Sequence, residues 1–449
     1  MQRRLFLKVA AIGLLSMLLL IPLWMIEAQI AARGARQADV VRDIAESAAA
    51  EQTLIGPVLV VRYRERVKVR DKEVSGREAE RHEVLTRSLV LPPQVLGIDG
   101  DARVETRSRG LYRASLYHLA LDLRGRVSVP ARLGLGDERE ILSAQAILVL
   151  GVSDLRGVAN DPEVTVNGRS LRFTTGNAGA FAGPGLQLAL GDIDPAGGAA
   201  FEFALPLSLT GSARLAIAPV GESTTVALRS AWPHPSFQGR FLPVERKVGA
   251  DGFEARWQVS HLARDFGRAL AASDAQPRPE TLAVSFIEPV NVYLQAERAV
   301  KYGVLFVVLT FAAFFIVEVL RRRPIHPLQY LLVGLALAVF FLLLVALSEH
   351  LSFALAYAIS ATACVLLIGG YLAAALGARR HGLAFGAGLA VLYGVLYGVL
   401  LSEDNALLMG SLLLFGALGV TMLTTRRIDW YRLGGTGGED ADEGYEVMR

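Results

Sequence analysis

The stretch RRRPIHPLQYLLVGLALAVFFLLLVALSEH (321–350) contains a long apolar run between two different ends. The run, Leu328–Leu347, has no charged residue, and its length is about the 20 residues that a helix needs to cross a membrane. Three arginines precede it, whereas the turn after it holds Ser348, Glu349 and His350. The stretch therefore predicts a membrane helix with one basic end and one end without arginine or lysine.

Similar apolar runs occur once near the N-terminus and five times after residue 302. They are Val9–Ile26, Gly303–Leu320, Leu328–Leu347, Leu351–Leu376, Leu383–Leu401 and Ala406–Thr425. The first run is longer than the apolar core of a secretory signal, and no small-residue cleavage site follows Trp24. We therefore expect an uncleaved anchor rather than a signal peptide.

Arginine and lysine lie at alternate ends of these runs. They occur before the first run, in the loops 321–327 and 377–382 and in the tail, but not in the loops 348–350 and 402–405. Because basic loops remain in the cytoplasm, both termini are predicted to be cytoplasmic. The predicted organisation is a membrane anchor at 1–26, an outward-facing domain at 27–302, a five-helix membrane domain at 303–425 and a cytoplasmic tail at 426–449.

The outer domain has the pattern of β-strands. Apolar and polar residues alternate in VLVVRYRERVKV (58–69), VTVNGRSLRFTTG (164–176) and AFEFALPLSLTG (200–211), with Gly, Pro and Asp between the runs. This spacing predicts a sandwich-like β domain, preceded by a helical stalk at 29–52 that continues the first membrane helix. The expected fold class is thus a membrane protein, α + β, with six transmembrane helices (1 + 5) and a large mainly-β domain inserted after the first span.

Composition and motifs argue against several classes of function. The net charge is only +3 over 449 residues, so no basic surface for nucleic acid is expected. Cys364 is the only cysteine, which excludes an intramolecular disulfide and a CxxC metal site. His82 and Glu83 begin like the zinc motif H-E-x-x-H, but Thr86 replaces its second histidine. We expect no metal, no cofactor and no nucleic-acid partner.

The turn at 348–350 has two interpretations. Its residue types are those of a hydrolase triad, but adjacent residues on a helix or strand do not face one another. We favour a turn in which Ser348 caps the next helix and Glu349 complements its dipole. A functional interpretation stays open, in which Glu349 pairs with Arg298 or Lys301 and clamps the end of the outer domain to the membrane helices. His350 would then titrate near neutral pH.

Charged residues lie only near the ends of the apolar runs. Glu318 is closest to the interior of a run, and we expect it to pair with Arg321 or Arg322. Ion-coupled transporters usually need an ionisable group in mid-membrane, so a transporter is disfavoured. Small residues at every fourth position of the fifth span predict a close helix contact, either within the chain or with a second copy. They are Gly386, Ala390, Gly394 and Gly398.

Aromatic and arginine side chains of the outer domain are candidates for lining an exposed groove that binds a ligand or peptide. They are Arg109, Tyr112, Phe237, Arg240 and Trp257. The partners we expect are the lipid bilayer, periplasmic or inner-membrane envelope proteins, and peptidoglycan or lipid ligands.

Several longer stretches resemble one known family. They are EQTLIGPVLVVRY (51–63), LPPQVLGIDGDARVETRSRGLY (91–112), HPSFQGRFLPVERKV and GFEARWQVSHLARDFGR (both within 234–268), FIEPVNVYLQAERAVKYGVLFVVLTFAAFF (286–315) and IHPLQYLLVGLALAVFFLLLVALSEH (325–350). Their content and order are similar to the CreD family of bacterial inner-membrane proteins, often called cell envelope integrity proteins. The resemblance implies a periplasmic location for 27–302 and a role in envelope stress and in the response to β-lactams or colicins. It supplies no catalytic residues.

We therefore expect a non-enzymatic protein of the inner membrane that maintains or senses envelope integrity. The alternative is an enzyme or transporter that acts on an envelope lipid or glycan between the outer domain and the membrane helices. A polar cavity near Glu349 would favour the alternative, and an exposed aromatic groove would favour ligand binding.

Overall fold

A computed structural model of the chain describes residues 2–72, 78–136, 139–263, 280–286, 292–321, 325–375, 379–402 and 406–426. The chain divides into two compact units. The first, which we call the helical unit, comprises Met1–Gln37 and Val290–Arg449, and the second, the β unit, comprises Ala38–Pro289. The predicted tail beyond Arg426 and the loop residues 322–324 lie outside the described residues.

The helices follow the predicted apolar runs. They are α1 (Gln2–Leu18), α2 (Leu20–Ala48), α3 (Val292–Lys301), α4 (Gly303–Arg321), α5 (Pro327–Ser348), α6 (Phe353–Ala375), α7 (Arg379–Leu401) and α8 (Ala406–Thr425). In the part of the chain that the structure describes, five helical stretches are long and apolar enough to cross a membrane, and a sixth is added if α3 and α4, bent by 42°, count as one span. This agrees with the six predicted runs.

Helices α1 and α2 form one stretch, Phe6–Ala48. Backbone hydrogen bonds from Leu19 N–H to Leu15 O and from Leu23 N–H to Leu19 O carry the helix across Leu19, which separates α1 from α2. The expected helical stalk is present as far as Ala48, and the division between the two units falls inside α2.

The first helix packs against α5 through a glycine. Leu19 and Leu23 are buried, and a Cβ added at Gly334 of α5 would clash with the Leu19 side chain and lie 3.0 Å from Phe311 Cζ. Helix α5 itself begins at Pro327, where His326 Nδ1 accepts a hydrogen bond from Leu328 N–H at 3.2 Å. A cap followed by proline in the first turn is a common way to start a helix.

The small-residue stripe of α7 is divided between different surroundings. A Cβ at Gly386 would lie 3.8 Å from Gly369 Cα of α6, so this glycine serves a contact within the chain. Ala390 and Gly394 are exposed, and Gly398 lies near Met409. Self-association through the stripe therefore stays a prediction that depends on Ala390 and Gly394.

The described residues of the β unit form two eight-stranded sheets. The first, sheet A, has the order β13-β16-β11-β1-β5-β9-β8, with β2 also paired to β1, and the second, sheet B, has the order β14-β15-β12-β3-β4-β10-β6-β7. The strands are β1 (Gln52–Lys72), β2 (Glu78–Leu91), β3 (Val95–Arg109), β4 (Tyr112–Val129), β5 (Glu140–Val152), β6 (Glu163–Val166), β7 (Arg169–Arg172), β8 (Thr174–Thr175), β9 (Gly185–Ile193), β10 (Ala199–Ser212), β11 (Arg214–Ala218), β12 (Ser223–Ser230), β13 (Ser236–Gly239), β14 (Glu245–Gly249), β15 (Gly252–Ser260) and β16 (Leu282–Ser285).

Alternating residues of the two sheets form a large apolar core, as in a β-sandwich. In β10 the side chains of Phe203, Leu205, Leu207 and Leu209 are buried, whereas Glu202 and Pro206 between them are exposed. The same cluster includes residues of sheet A such as Leu54 and Val60. A separate, smaller cluster includes Leu59, Val61 and Val127. The predicted mainly-β, sandwich-like domain is thus present.

The end of α2 is attached to the β unit by polar contacts. Asp154 accepts a hydrogen bond from Ala50 N–H at 3.2 Å, and Arg156 donates to Glu46 O at 2.6 Å. Hydrogen bonds from the Arg156 guanidinium lower the pKa of Asp154 to about 2. Asp43 of α2 also forms an ion pair with Arg109. These contacts fix the start of β1.

Replacement of Gly334 by leucine is expected to destabilise the protein by about 1–3 kcal/mol, because the new side chain would overpack the contact with Leu19. Thermal unfolding of the full-length protein in detergent micelles measures the effect. Gly388→Leu on α7 is the matched control, since a Cβ there would meet no described atom within 4 Å. Equal losses in both variants would show that the contact between Leu19 and Gly334 is not tight.

Candidate functional site

The turn at Ser348–His350 closes helix α5 and does not open the next helix. Ser348 is the last residue of α5, and its hydroxyl donates to Val345 O at 2.9 Å. Glu349 occupies the C-cap position, while α6 begins only at Phe353. The prediction that Ser348 caps the following helix and that Glu349 complements its dipole is therefore wrong. A carboxylate at a helix C-terminus is unfavourable for the dipole and needs another partner.

Glu349 finds its partners on two other helices. Arg33 Nη1 of α2 donates to both carboxylate oxygens, at 3.1 Å and 3.4 Å. Tyr293 of α3 donates its hydroxyl to Oε1 at 3.1 Å. The Glu349 side chain is only 10% exposed, so these charge-assisted bonds replace most of its hydration. We call these three residues the Glu349 junction.

The junction joins the two helices through which the chain leaves and re-enters the helical unit. The chain leaves along α2, which contains Arg33, and returns at α3, which contains Tyr293. The two helices lie close together here, since a Cβ added at Gly34 would be in van der Waals contact with Tyr293 Cβ at 3.8 Å. A single carboxylate at the end of α5 therefore holds both helices.

The basic partner of Glu349 differs from the two predicted. Lys301 pairs instead with Glu297, four residues earlier on α3, with Nζ and Oε1 2.8 Å apart. Arg298 lies on the same helix. Pairs at this spacing form within one helix without any tertiary contact, which explains why Lys301 is not drawn to Glu349. His350 is exposed, and its backbone N–H donates to Leu347 O.

A second buried carboxylate lies at the other end of the bundle helices. Glu318 of α4, 8% exposed, forms an ion pair with Lys8 of α1. It also accepts hydrogen bonds from the Tyr330 hydroxyl at 2.9 Å and from Ile325 N–H at 3.2 Å. Lys8 donates in addition to Ile325 O at 3.0 Å. We call Lys8, Glu318, Ile325 and Tyr330 the Glu318 cluster.

The partners expected for Glu318 were Arg321 and Arg322, whose side chains lie outside the described residues. The contact with Lys8 comes from the distant N-terminal helix and could not be derived from helix spacing.

The two clusters bind the same helical stretch at two levels. Lys8 and Arg33 both belong to the α1–α2 stretch and are about 25 residues apart, which corresponds to roughly 38 Å at the rise of an α-helix. The hydrocarbon core of a bilayer is about 30 Å thick. The spacing thus suits ion pairs at the two boundaries of a membrane, with Leu19 and Leu23 packed between them.

The candidate residues of the β unit do not line one exposed groove. Trp257 is 1% exposed and donates its indole N–H to Phe241 O at 3.2 Å. Phe237 packs edge-on against both Phe253 and Trp257, with ring centroids 5.7 Å apart in each pair. Trp257 is therefore part of the core between the sheets, and Phe237 is partly buried against it.

The remaining candidates of the β unit have structural contacts of their own. Arg109 and Tyr112 are opposite each other at the tip of the β3–β4 hairpin, where Arg109 pairs with Asp43. Arg240 lies 3.5 Å from Glu280. Among the described residues, no group of three or more His, Cys, Asp and Glu side chains could hold a metal ion.

Sequence reasoning missed Lys8, Arg33, Tyr293 and Tyr330. One signal in the sequence could have identified the basic partners. An acid at the end of an apolar run needs a hydrogen-bond donor, and the first helix carries basic residues at both its ends that could supply one.

Comparison with known proteins identifies the family. The family model described as inner membrane protein CreD matches residues 4–431. Inner membrane protein CreD of Escherichia coli (strain K12) is 35% identical over 433 residues, which cover 95% of this chain and 94% of that protein. This chain belongs to the CreD family. It is accordingly an inner-membrane protein, and the resemblance seen in the sequence is confirmed.

Solved structures give much weaker similarities. An M1 zinc metallopeptidase from Deinococcus radiodurans aligns over 43% of this chain and 42% of its own, with 12% identity and a TM-score of 0.23. A mutant of that enzyme gives a TM-score of 0.22 at 11% identity over the same shares of the two chains. Similarity at this level carries no argument about the fold or activity of this CreD-family protein.

Arg33→Gln is expected to destabilise the protein by about 1–3 kcal/mol, because it leaves a mostly buried carboxylate with only the Tyr293 hydroxyl as donor. Glu349→Gln is expected to cost a similar amount. In the double variant the loss should be smaller than the sum by about 1 kcal/mol, since both changes remove the same interaction. Urea unfolding of the full-length protein in mixed micelles measures the cycle.

Glu297→Gln is the control for this cycle, because it removes an exposed pair on α3 and should cost only about 0.3–0.5 kcal/mol. Strictly additive losses for Arg33 and Glu349 would show that the two side chains do not interact.

Lys8→Met is expected to lower the amount of folded protein in the membrane, because Glu318 would keep its charge without a counter-ion. The double change Lys8→Met with Glu318→Met should recover most of that loss, since an apolar pair of similar size can replace a buried ion pair. Quantitative blotting of membrane fractions and thermal unfolding provide the measurement. If the double variant is as defective as Lys8→Met alone, the ion pair is not the cause.

Proposed function

We propose that this CreD-family protein places its β unit in the periplasm and maintains or senses the integrity of the cell envelope without catalysing a reaction. The family supports a role at the inner membrane. The periplasmic location is our inference from the charge distribution, the envelope role is what the resemblance to the CreD family implies, and the absence of catalysis is our inference from the contacts of the helical unit.

The distribution of basic residues supports the orientation. In the short loops and at the termini, arginine and lysine are confined to alternate ends of the membrane helices, the ends at which loops remain in the cytoplasm. Starting from a cytoplasmic N-terminus, a single span brings the β unit to the periplasmic side, and five further spans return the tail to the cytoplasm. The residues that carry this pattern are Arg3, Arg4, Lys8, Arg321, Arg322, Arg323, Arg379, Arg380, Arg426 and Arg427.

The observation that carries the proposal is the Glu349 junction. The two helices that lead to and from the β unit are bonded to one carboxylate at the end of α5. A force or conformational change that reaches α2 or α3 therefore acts on a contact shared with the membrane helices. This arrangement supports a protein that links the state of the periplasmic side to its membrane bundle.

The same contacts favour a binding role over an enzyme or transporter. A general acid or base must be able to exchange its proton with a substrate, and an ion-coupled transporter needs an accessible ionisable group. Glu318 and Glu349 are both engaged by a cation and a tyrosine hydroxyl. Neither is left free for such chemistry.

Cells that lack this protein are expected to grow less well than the wild type in deoxycholate and in a cell-wall antibiotic. The wild-type protein and Glu297→Gln should restore growth, whereas Arg33→Gln with Glu349→Gln should not, at matched abundance in the membrane. Growth curves over a dilution series of each agent measure this. Full restoration of growth by the Arg33→Gln, Glu349→Gln variant would contradict the proposed role of Glu349. Normal growth of the deletion strain would contradict the envelope role.

Orientation is measured in the same strains with single cysteines in a Cys364→Ala background. An impermeant thiol reagent should label Ser236→Cys in intact spheroplasts and label Thr436→Cys only after lysis. The reverse pattern would place the β unit in the cytoplasm.

A further inference from the structure

The outer face of sheet B is covered with charged side chains, most of which pair with one another. Arg124 pairs with Asp122, and Arg126 pairs with Glu202. Arg229 pairs with Asp101 at 2.8 Å. Such pairs are ordinary on an exposed sheet, where opposite charges on neighbouring strands attract.

One part of this face differs from the rest. A cleft of about 320 Å³ lies across β3, β12, β15 and β14, and its lining includes Asp99, Ala227, Arg229, Lys247, Glu254 and Arg256. Among the described residues, no ion pair within 4.0 Å connects Asp99, Lys247, Glu254 or Arg256 to any partner. Arg229 interacts electrostatically with Asp99 and Glu254 from a greater distance. The cleft therefore presents charges of both signs that make no direct ion pair.

The strand register sets the distance between two of these charges. Ala227 of β12 is aligned with Asp99 of β3 on one side and with Arg256 of β15 on the other. An acid and a base thus stand in one row, two strand spacings apart, which is about 10 Å between backbones. The residue of β12 between them is Ala227, whose side chain is only a methyl group. The cleft is therefore not blocked by a long side chain at this point.

We propose that this cleft binds a short zwitterionic peptide, about three residues long, across Ala227. Its α-ammonium group lies at Asp99 and its carboxylate lies at Arg256. An extended chain advances about 3.3–3.6 Å per residue, so the charged ends of a tripeptide are separated by about the distance between these two strands. We expect a peptide of this length to reach both side chains.

Neighbouring residues are less suited to these two roles. Arg229 lies two residues after Ala227 on β12, and it already forms an ion pair with Asp101, with which it is aligned. At this position β12 carries a long side chain instead of a methyl group, which would block a peptide lying across the strand. Glu245 is aligned with Arg256 across β14, but no ion pair within 4.0 Å joins the two side chains in the described structure. Arg256 is therefore available to a carboxylate.

The cleft supplies a ligand class, short zwitterionic peptides, for the proposed sensing role of the β unit. The biological purpose of the cleft rests on that proposed role. Exposed ion pairs contribute little each, so the affinity is expected to be weak, with a Kd of about 1 mM. Binding is measured directly, and its failure would leave the orientation and the Glu349 junction untouched.

The test uses the full-length protein in nanodiscs and saturation-transfer NMR titration with trialanine. Three further probes are N-acetyl-trialanine, trialanine amide and the doubly blocked peptide. Trialanine is expected to bind best, each single block should weaken binding about two- to fivefold, and the doubly blocked peptide should not bind. Asp99→Asn should weaken trialanine but not N-acetyl-trialanine, and Arg256→Gln should weaken trialanine but not trialanine amide.

Arg126→Gln and Asp161→Asn are the controls, because they make the same chemical changes on other parts of the β unit, and they should bind trialanine normally. Equal binding of the four probes, no binding of trialanine, or equal effects of the cleft and control variants would each overturn the proposal. Thermal unfolding of every variant shows whether a loss of binding reflects a loss of fold.

Discussion

A carboxylate that is removed from water at the end of an apolar helix must find a donor, and the helical unit depends on this requirement. Leaving such a group unpaired costs several kcal/mol, of the order of the stability of a whole domain. Glu318 and Glu349 meet the requirement in the same way, with one cation from the first helix and one tyrosine hydroxyl. The apolar packing of Leu19 against Gly334 positions the first helix, but packing alone permits sliding along its axis. Ion pairs at two levels fix its register.

The ion pairs of Glu318 and Glu349 with the first helix explain why the chain can insert a large β unit between its first and second membrane helices. The first helix is far in sequence from its partners, since Arg33 and Glu349 are separated by the whole β unit. The cost of bringing together the ends of a long connection rises only slowly with its length, and the β unit is itself folded, so a few specific contacts are sufficient. Because the junction includes Tyr293, the same contact that holds the outgoing helix also holds the returning one.

Much of the fold could be predicted from the sequence because its signals are local. Apolar runs and the positions of arginine indicate the helices, and alternation in stretches such as 200–211 indicates strands whose apolar side faces a core. The partners of the charged residues could not be predicted, because helix spacing identifies only neighbours on one helix. That rule is correct for Lys301 and Glu297, but it cannot locate Arg33. Trp257 was a groove candidate only as an aromatic residue, whereas alternation along β15 directs it into the core.

The β unit uses charge differently from the helical unit, and the difference follows from exposure to water. In the helical unit an unpaired charge would be costly, so the described carboxylates Glu318 and Glu349 are fully bonded. On the outer face of sheet B an unpaired charge remains hydrated, and leaving Asp99 and Arg256 apart costs little. Such a site is ready to exchange water for a ligand, whereas a saturated one must first break its own bonds. A protein that senses through its β unit and responds through its bundle would need both kinds of pairing. Charges on the surface of the β unit would have to pair weakly and reversibly, whereas those of the Glu349 junction would have to pair strongly and permanently.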